Sequence, residues 1–332
     1  MTHALPTISI VIPTLNEEKR IEACLRSIYE QDYPKKLLEV IVVDNYSTDE
    51  TVEIVRNYPV VIVKNRIHDT QRSKKVGLDT SRGDLVYHVD ADMEFRSKDY
   101  LRKLAYPLQR DPRLIGSFGA IATAPDDTPL NRFLTYDIHQ RDPVLDFFSP
   151  SLWSTVVARE KGYILCVYRP GNIPPEGRCL YWRKRLMKTP IAQSSDFRDL
   201  DSLVTLVESG LCHFAYVPGA LAYHRHVEDL CSLVVKRLRN IRRNFLPHYE
   251  TRQYTWFRFH SVGGIIKIIF WIVWAHLFFP AFVRGCIKAV RHRDIACVWY
   301  EPLLALLLTD ITLYGFITNA RGIRFIWSKI LR

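Results

Sequence analysis

The sequence predicts an α/β fold in which a mostly parallel sheet is covered by helices on both faces and is followed by apolar C-terminal helices. Three observations lead to this prediction. Short apolar runs without alternation recur in the first 90 residues, as expected of strands that are buried on both faces. Helical patterns separate these runs, which favours parallel strands joined by helical crossovers. After residue 262, two apolar stretches are each about as long as a bilayer is thick.

The elements of the first half follow this order. Strands are predicted at residues 8–12, 39–44, 60–64 and 85–89. A helix with an apolar face through Ile21, Leu25 and Ile28 follows the first strand, and a helix that begins at Ser47 or Thr48 follows the second. Because ligands bind beyond the carboxyl ends of the strands in such sheets, the residues after these strands should meet in one crevice.

Two aspartates, Asp90 and Asp92, end the fourth strand of this pattern. Carboxylates this close repel each other unless something positive lies between them. Aspartate is also common in turns at strand ends. Taken alone, the pair therefore fits either a capped turn or a divalent-metal site that holds an anionic ligand.

The second half is less regular at first. Residues 121–195 are rich in proline, aromatic and basic residues, and we interpret them as substrate-binding loops with a few short elements. A helix is then predicted that ends near Gly210; its apolar face comprises Leu200, Leu203, Val204, Leu206 and Val207. A strand, a Pro-Gly turn and a second short strand ending in His224 and His226 complete the first 226 residues.

The C-terminal third changes character. Residues 227–262 contain a basic amphipathic pattern, typical of a helix on an anionic bilayer or of a solvated surface helix. Residues 263–332 are predicted to form a membrane-associated helical hairpin from the apolar stretches 263–283 and 295–320. Tryptophan and tyrosine residues and basic flanks accompany these stretches: Trp271, Trp274, Trp299, Tyr300, Trp327, Arg284, Lys288, Arg291, Arg293, Arg321, Arg324, Lys329 and Arg332. Glu301 and Asp310 leave open whether the hairpin spans the bilayer or lies in its interface.

Composition limits the partners and the compartment. The net charge of +11 indicates an anionic partner, and its concentration beside the apolar tail argues against nucleic acid. Seven scattered cysteines without a C-x-x-C pair are typical of a reducing compartment. The N-terminal apolar run is short, lacks a basic flank and contains Pro13, so we interpret it as a first strand rather than a signal peptide.

Residues 7–226 resemble the inverting nucleotide-sugar glycosyltransferases of family 2, which have the fold called GT-A. Five motifs occur in the order of that family: "SIVIPTLNEEKRIEACLRSI", "EVIVVDNYSTDET", "QRSKKVGLDTSRGDLVYHVDADM", "DFRDLDSLVTLVESG" and "VPGALAYHRH". The resemblance implies a GT-A domain at residues 1–226 and Mn²⁺ or Mg²⁺ as cofactor.

The resemblance also implies roles for the donor side of the site. Asp92 would coordinate the cation, Asp90 would contact the ribose or the waters of the metal, and His224 would complete the site unless it is an ordinary surface histidine. Asp44 would accept a hydrogen bond from the nucleobase. The nucleoside pocket would be shaped by Pro13, Thr14, Asn16 and Glu17, and Arg72, with Lys74 or Lys75 behind it, would face the pyrophosphate.

Asp199 matches the catalytic aspartate of the family by its interval to Gly210. The family usually has an acidic residue immediately before that aspartate, whereas this chain has Arg198. A different offset would move the general base to Asp196 or Asp201.

The predicted function is the metal-dependent transfer of one sugar from a nucleoside-diphosphate sugar to a lipid-linked acceptor, either a polyprenyl phosphate or a lipid-linked saccharide. A Gln-x-x-Arg-Trp signature of processive synthases is absent, which indicates single-sugar transfer. The catalytic domain is expected at the cytoplasmic side of a membrane. A nucleotidyltransferase would show a glycine-rich loop after the first strand, where this chain has Pro-Thr-Leu-Asn-Glu-Glu. A non-catalytic nucleotide-sugar-binding protein would not need Asp92 and Asp199 together.

Overall fold

A computed structural model describes residues 4–67, 69–254 and 261–329. The strands are β1 (Ile8–Thr14), β2 (Leu38–Asp44), β3 (Val61–Lys64), β4 (Leu85–His88), β5 (Met93–Phe95), β6 (Gly116–Ile121), β7 (Val156–Glu160), β8 (Tyr163–Val167), β9 (Leu180–Trp182) and β10 (His213–His224). The helices are α1 (Ile21–Tyr29), α2 (Thr51–Arg56), α3 (Thr70–Thr80), α4 (Tyr100–Arg110), α5 (Pro129–Thr135), α6 (Pro143–Phe148), α7 (Arg183–Leu186), α8 (Asp199–Glu208), α9 (Leu230–Arg239), α10 (Val262–His276), α11 (Phe279–His292), α12 (Ala296–Ile317) and α13 (Ala320–Lys329).

These elements form two compact units. The first unit comprises Met1–Ala122 and Pro150–His224, and the second comprises Thr123–Ser149 and Arg225–Arg332. The second unit therefore includes α5 and α6, which sequence analysis placed within the catalytic region. The predicted division into functional segments at residues 226 and 262 stays a prediction. Residues 1–3, 68, 255–260 and 330–332 of these segments lie outside the described residues.

A ten-stranded mixed sheet forms the first unit, with the order β3-β2-β1-β4-β9-β6-β10-β8-β7 and with β5 paired to β10. The strands β3, β2, β1 and β4 are parallel to one another, which confirms the predicted parallel core. Buried side chains of β1 and β4 pack against α1 and α4 within one apolar core. Since β1 pairs with both β2 and β4, the carboxyl ends of these three strands lie at one edge.

The prediction of two short strands around Pro218 and Gly219 is wrong. Residues 213–224 form the single strand β10, which pairs with β6 on both sides of a register shift between Tyr216 and Leu221. The exposed Pro218-Gly219 pair lies inside this bulge. A bulge accommodates residues that do not fit the ladder without ending the strand. Gly210 has a φ of 78° just after α8, as expected of a helix C-cap.

In the second unit, the apolar stretch 263–283 is interrupted by a bend. The helices α10 and α11 meet at an angle of 78°, because Phe278 adopts a left-handed φ of 56° and Pro280 lies in the first turn of α11. The helix α9 continues into a π-helical turn at Asn240–Phe245. By length and composition alone, α12 is long enough to cross a bilayer, and α10 with α11 would pass only as one broken segment.

Candidate active site

The carboxyl ends of β1, β2 and β4 place the first residues of the candidate site within the first unit. Thr14 and Asp44 are register partners at the ends of β1 and β2, and Val11 is paired with His88 at the end of β4. Asp90 and Asp92 follow β4 directly. The chain thus brings three polar strand ends to one crevice, as the parallel pattern predicts.

Asp90, Asp92 and His224 form an acidic cluster at this crevice. One ligand atom from each of the three residues lies within 4.8 Å of the others, and His224 Nε2 lies 3.2 Å from Asp92 Oδ1. The pairing of β5 with β10 explains this contact, because His224 is the register partner of Met93, the residue next to Asp92. Two carboxylates and one imidazole are a donor set that fits Mn²⁺ or Mg²⁺.

Arg178 contacts the other side of the His224 ring. Its Nη1 donates to His224 Nδ1 at 3.3 Å, and its guanidinium lies beside the buried Glu176 carboxylate. Because a guanidinium only donates, Nδ1 must accept and the proton of a neutral ring is assigned to Nε2, toward Asp92. To bind a cation through Nε2, a neutral His224 ring would carry its proton on Nδ1 instead.

Asp199 lies at the start of α8 and is joined to the acidic cluster by Lys74. The Lys74 ammonium lies 2.5 Å from Asp199 Oδ2 and 3.7 Å from Asp90 Oδ1. The second oxygen, Asp199 Oδ1, is buried and has no hydrogen-bond partner within the described part of the chain. An unpaired carboxylate oxygen beside a buried cation is able to accept a proton from a bound hydroxyl.

The charges of this pair shift each other's pKa. Burial raises the pKa of the Asp199 carboxyl, and the Lys74 ammonium opposes part of that rise. Burial alone would lower the pKa of Lys74, but the carboxylates of Asp199 and Asp90 outweigh it and raise that pKa. Lys74 therefore stays charged and keeps a positive group between two carboxylates.

A second basic side chain, His88, lies close to Lys74. His88 is buried, its Nε2 contacts the Lys74 carbonyl oxygen at 3.1 Å, and its ring centroid is 4.4 Å from that of Phe197. Burial, together with the nearby Lys74 charge, lowers the pKa of His88 to about 3. The imidazole is therefore neutral and adds no second cation beside Lys74.

The predicted nucleoside residues line the loops after β1 and β2. The Asp44 carboxylate accepts hydrogen bonds from the backbone of Tyr46 and Ser47, which fixes the turn after β2. Asn16, in a left-handed conformation, accepts from the Thr48 N–H at 2.8 Å and so ties the two loops together. The buried Thr14 hydroxyl has no partner among the described residues, and Pro13 is buried in β1.

Glu17 is electrostatically linked to the acidic cluster. Burial, followed by the charges of Asp92 and Asp90, raises the pKa of the Glu17 carboxyl to about 7, against the opposing effect of Arg20. Its backbone N–H donates to Thr51 Oγ1 at 2.7 Å. Sequence analysis assigned Glu17 to the nucleoside pocket only, whereas the structure also places its carboxylate within the field of the two aspartates.

The basic residues of α3 do not all face the cluster. Arg72 donates to the Ser195 carbonyl, and Lys75 forms an ion pair with Asp79 one turn along α3. Lys74 is the member of the pair that contacts Asp90 and Asp199. The predicted pyrophosphate roles of Arg72 and Lys75 stay predictions, and the contacts favour Lys74 over Lys75.

The neighbours of Asp199 bear on the choice of the general base. Asp196 forms an ion pair with Arg198 at 2.9 Å. Of the three candidate aspartates, only Asp199 forms an ion pair with Lys74 among the described residues. The contact with Lys74 distinguishes Asp199 from its neighbours, and its role as the general base stays a prediction.

Sequence reasoning did not identify Arg178, Glu176 or His88 as part of this site. Arg178 lies in the irregular proline-rich segment, where no periodic signal indicates orientation. The orientation of Lys74 is related to Gly77, which lies three residues further along α3. The Cα of Gly77 packs so closely on β1 that an added Cβ would lie 2.1 Å from Val11 Cγ1. Residues three apart share a helix face, so Lys74 belongs on the face toward the sheet.

The chain is similar to known proteins over part of its length. Residues 9–160 match the family model described as glycosyl transferase family 2. The chain is 34% identical over 98 residues to the glycosyltransferase AglE of Haloferax volcanii, which covers 28% of this chain and 32% of that protein. It is 32% identical over 129 residues to the dolichyl N-acetyl-alpha-D-glucosaminyl phosphate 3-beta-D-2,3-diacetamido-2,3-dideoxy-beta-D-glucuronosyltransferase of Methanococcus voltae, covering 34% and 39%. The matches thus span about a third of these relatives.

Among solved structures, the chain is similar to the mannosyltransferase PcManGT of Pyrobaculum calidifontis, whose structure contains GDP-Man and Mn²⁺. The TM-score is 0.53 at 19% identity, and the match covers 98% of this chain and 89% of that one. A likeness at this level of identity supports the fold alone.

Proposed function

Because the chain belongs to glycosyl transferase family 2 and has the GT-A fold, we propose that it transfers one sugar from a nucleoside-diphosphate sugar, with inversion and with the help of Mn²⁺ or Mg²⁺. The observation that carries this proposal is the pair of sites joined by Lys74. The acidic cluster of Asp90, Asp92 and His224 lies on one side of this lysine, and Asp199 lies on the other.

The acidic cluster supports the donor side of the reaction. Asp92 and Asp90 would hold the cation with His224, and such a cation would offset the negative charge that develops on the departing diphosphate. Asp44, Pro13, Thr14, Asn16 and Glu17 are proposed to hold the nucleoside. The Mn²⁺ and GDP-Man bound to the mannosyltransferase PcManGT are consistent with this assignment.

Asp199 supports the acceptor side. In the proposed step, an acceptor hydroxyl oxygen attacks the anomeric carbon, its proton passes to Asp199 Oδ1, and the bond between that carbon and the diphosphate oxygen breaks. Lys74 holds Oδ2, and Oδ1, which has no hydrogen-bond partner among the described residues, would take the proton of the acceptor. A positioned base of this kind typically accelerates a reaction by about 10²–10⁴-fold.

The presence of a base bears on the acceptor. A phosphate acceptor is already ionised near neutral pH, whereas a hydroxyl acceptor must lose a proton in the step. Asp199 therefore favours a hydroxyl of a lipid-linked saccharide over a polyprenyl phosphate. The dolichyl phosphate saccharide named for the Methanococcus voltae relative is consistent with this choice, and the basic, apolar C-terminal unit supports an acceptor held at a membrane.

A donor screen tests the proposed function. Full-length protein with Mn²⁺ is incubated with UDP-, GDP- and ADP-sugars, and release of the nucleoside diphosphate is measured with and without extracted lipid-linked saccharides. At least one donor should be consumed, faster with acceptor and not in EDTA. Consumption of a nucleoside triphosphate and a sugar phosphate, with pyrophosphate release and no donor hydrolysis, would instead identify a nucleotidyltransferase.

A further inference from the structure

The second unit exposes apolar side chains that its own core does not use. Along α10 they recur every three or four positions, at Val262, Ile266, Ile269, Phe270, Val273 and Leu277. This spacing places them on one helix face, whereas Trp271 and Ala275 on the other face are buried. A similar stripe follows α11 at Phe279, Val283, Ile287 and Val290, of which Val290 is 82% exposed.

Aromatic rings connect these two stripes to α12. The ring centroids of Phe278 and Phe282 are 6.0 Å apart, and those of Phe282 and Trp299 are also 6.0 Å apart. Trp299 is itself 62% exposed. We call the two stripes together with Trp299 the apolar patch. Exposed apolar side chains grouped in this way mark a surface that binds a partner or a membrane.

The charge of the chain indicates what covers the patch. Residues 225–332 contain 17 lysine and arginine residues against 6 aspartate and glutamate residues, whereas residues 1–224 contain 29 of each kind. The whole excess of +11 therefore belongs to the segment that carries the patch. An anionic bilayer complements this charge, whereas a second copy of the chain would bring the same positive charge against it.

Each of the helices α10 and α11 is too short to cross the bilayer. The two helices have 15 and 14 residues, which correspond to about 22 Å and about 21 Å at 1.5 Å per residue. Each is shorter than the hydrocarbon core of about 30 Å. The bend of 78° between them prevents the two lengths from adding in one direction.

The helix α12 is long enough, but its exposed face contains a carboxylate. Asp310 is half-exposed, and its Oδ1 lies 3.1 Å from His276 Nε2. On a helix with 3.6 residues per turn, it falls on the same face as the exposed Trp299 and Ile317. A spanning α12 would carry this polar pair into the centre of the hydrocarbon, whereas a helix that lies in the interface keeps such a pair near the headgroups, where it costs less.

Basic residues at both ends of α12 lead to the same conclusion. Arg291 and Arg293 are exposed before the helix, and Arg321 and Arg324 are exposed after it. Segments rich in lysine and arginine remain on the cytoplasmic side of a membrane. Both ends of α12 therefore belong on one side.

We propose that the C-terminal helices embed in one leaflet of an anionic bilayer through the apolar patch, and that neither α12 nor the α10–α11 pair crosses the membrane. This inference rests on the proposed function, in which the acceptor is held at a membrane. It adds how the protein is attached: its C-terminal helices lie in the plane of the membrane.

Cysteine labelling tests the side on which each end of α12 lies. Full-length Arg293→Cys and Arg321→Cys, each with Cys231→Ser, are examined in sealed inverted membrane vesicles with a membrane-impermeant maleimide. Both sites should react before detergent is added, to the same extent as after it. Protection of either site until the vesicles are lysed would show that α12 crosses the bilayer and would overturn the proposal.

Flotation tests the patch and the lipid. Full-length protein should float with vesicles of phosphatidylcholine and phosphatidylglycerol in equal parts, and at least tenfold less with phosphatidylcholine alone. The variant Ile287→Glu with Val290→Glu should reduce flotation at least tenfold, whereas Val157→Glu, at an exposed apolar site of the first unit, should not. Unchanged flotation of the patch variant, or a patch-dependent dimer that does not bind vesicles, would overturn the proposal.

Donor hydrolysis separates this inference from the proposed function. The patch variant should hydrolyse a nucleotide sugar in solution at the rate of the unchanged protein, because the apolar patch contains none of the proposed site residues. Normal flotation without any donor hydrolysis would refute the proposed activity but not the proposal that the apolar patch binds the membrane.

Discussion

Asp199 is the residue on which the acceptor chemistry depends. Its Oδ1 is buried without a hydrogen-bond partner in the part of the chain that the structure describes, and its Oδ2 is held by Lys74. Asp199→Asn keeps the shape but cannot take a proton, so transfer to a hydroxyl acceptor should fall by about a hundredfold or more. Donor affinity should stay within about a few-fold of that of the unchanged protein, because Asp199 is proposed to act on the acceptor and not on the donor.

The neighbouring aspartates provide matched controls for that measurement. Asp196→Asn and Asp201→Asn should each retain most of the transfer rate, measured with saturating donor and limiting acceptor. If one of them loses activity while Asp199→Asn does not, the base has been assigned to the wrong residue. If none of the three matters, the acceptor is a phosphate that needs no base.

Lys74 controls when Asp199 is ionised. Burial raises the pKa of Asp199 and the Lys74 charge lowers it, so Lys74→Met should raise that pKa further. A base acts only when ionised, and the acid limb of the kcat/KM profile should therefore move to higher pH. Part of the lost rate should return as the pH is raised.

Lys75→Met is the control for this pH profile. Lys75 is equally buried but forms its ion pair with Asp79, so its removal should leave the acid limb in place. An unshifted acid limb in Lys74→Met would show that the lysine does not act through Asp199.

At the scale of elements, close packing of α3 on β1 sets the position of Lys74. A Cβ at Gly77 would lie 2.1 Å from Val11 Cγ1, so Gly77→Ala should reduce the free energy of unfolding by about 1–3 kcal/mol. Thermal unfolding of the variant measures this loss. Adding Val11→Ala should make the combined loss smaller than the sum of the two single losses.

Gly263→Ala is the control for that packing effect. Gly263 lies in α10 with no atom within 4 Å of an added Cβ, so alanine should leave the Tm unchanged or raise it slightly through helix propensity. Strictly additive losses for Gly77→Ala and Val11→Ala would contradict the close contact between α3 and β1.

At the scale of the whole molecule, a buried ion-pair cluster holds the second unit together. Glu301 is fully buried on α12 and lies 2.8 Å from Arg284 Nε and 2.7 Å from Lys288 Nζ, both on α11. Glu301→Gln would leave Lys288 without its counter-charge, whereas Arg284 would keep the Asp146 carboxylate at 2.6 Å. The expected loss is about 3–5 kcal/mol, measured as a lower Tm of the full-length protein in detergent.

Glu250→Gln is the control, because Glu250 is exposed in the same unit. Its removal should change the Tm little. A Tm for Glu301→Gln equal to that of the control would contradict the ion-pair cluster.

The parallel half of the sheet could be predicted because its strands are continuous apolar runs. Strands β1, β2 and β4 are buried on both faces, so no alternation obscures them. The convergence of Asp44, Asp90 and Asp92 follows from that order, since parallel strands end at one edge. The meeting of His224 with Asp92 needed the pairing of β10 with β5, which the sequence pattern does not specify.

The remaining features depend on tertiary context. Strand β9 has only three residues, yet it enters between β4 and β6, and no periodicity develops over so short a run. The bend at Phe278 requires a left-handed residue inside an apolar stretch, which local propensity opposes. Arg178 reaches His224 from an irregular segment, where orientation is decided by packing alone.

Metal-dependent donor binding tests the central claim most directly. The melting temperature of the full-length protein is measured with UDP or GDP, in Mn²⁺ and in EDTA, for the unchanged protein, Asp92→Ala and the surface control Glu53→Gln. At about a hundred times the Kd, binding should stabilise the protein by about 2.7 kcal/mol. We predict a rise in Tm with at least one nucleotide in Mn²⁺ only, retained in Glu53→Gln and lost in Asp92→Ala. An equal rise in EDTA, or an undiminished rise in Asp92→Ala, would contradict the assignment of the acidic cluster as the metal and donor site.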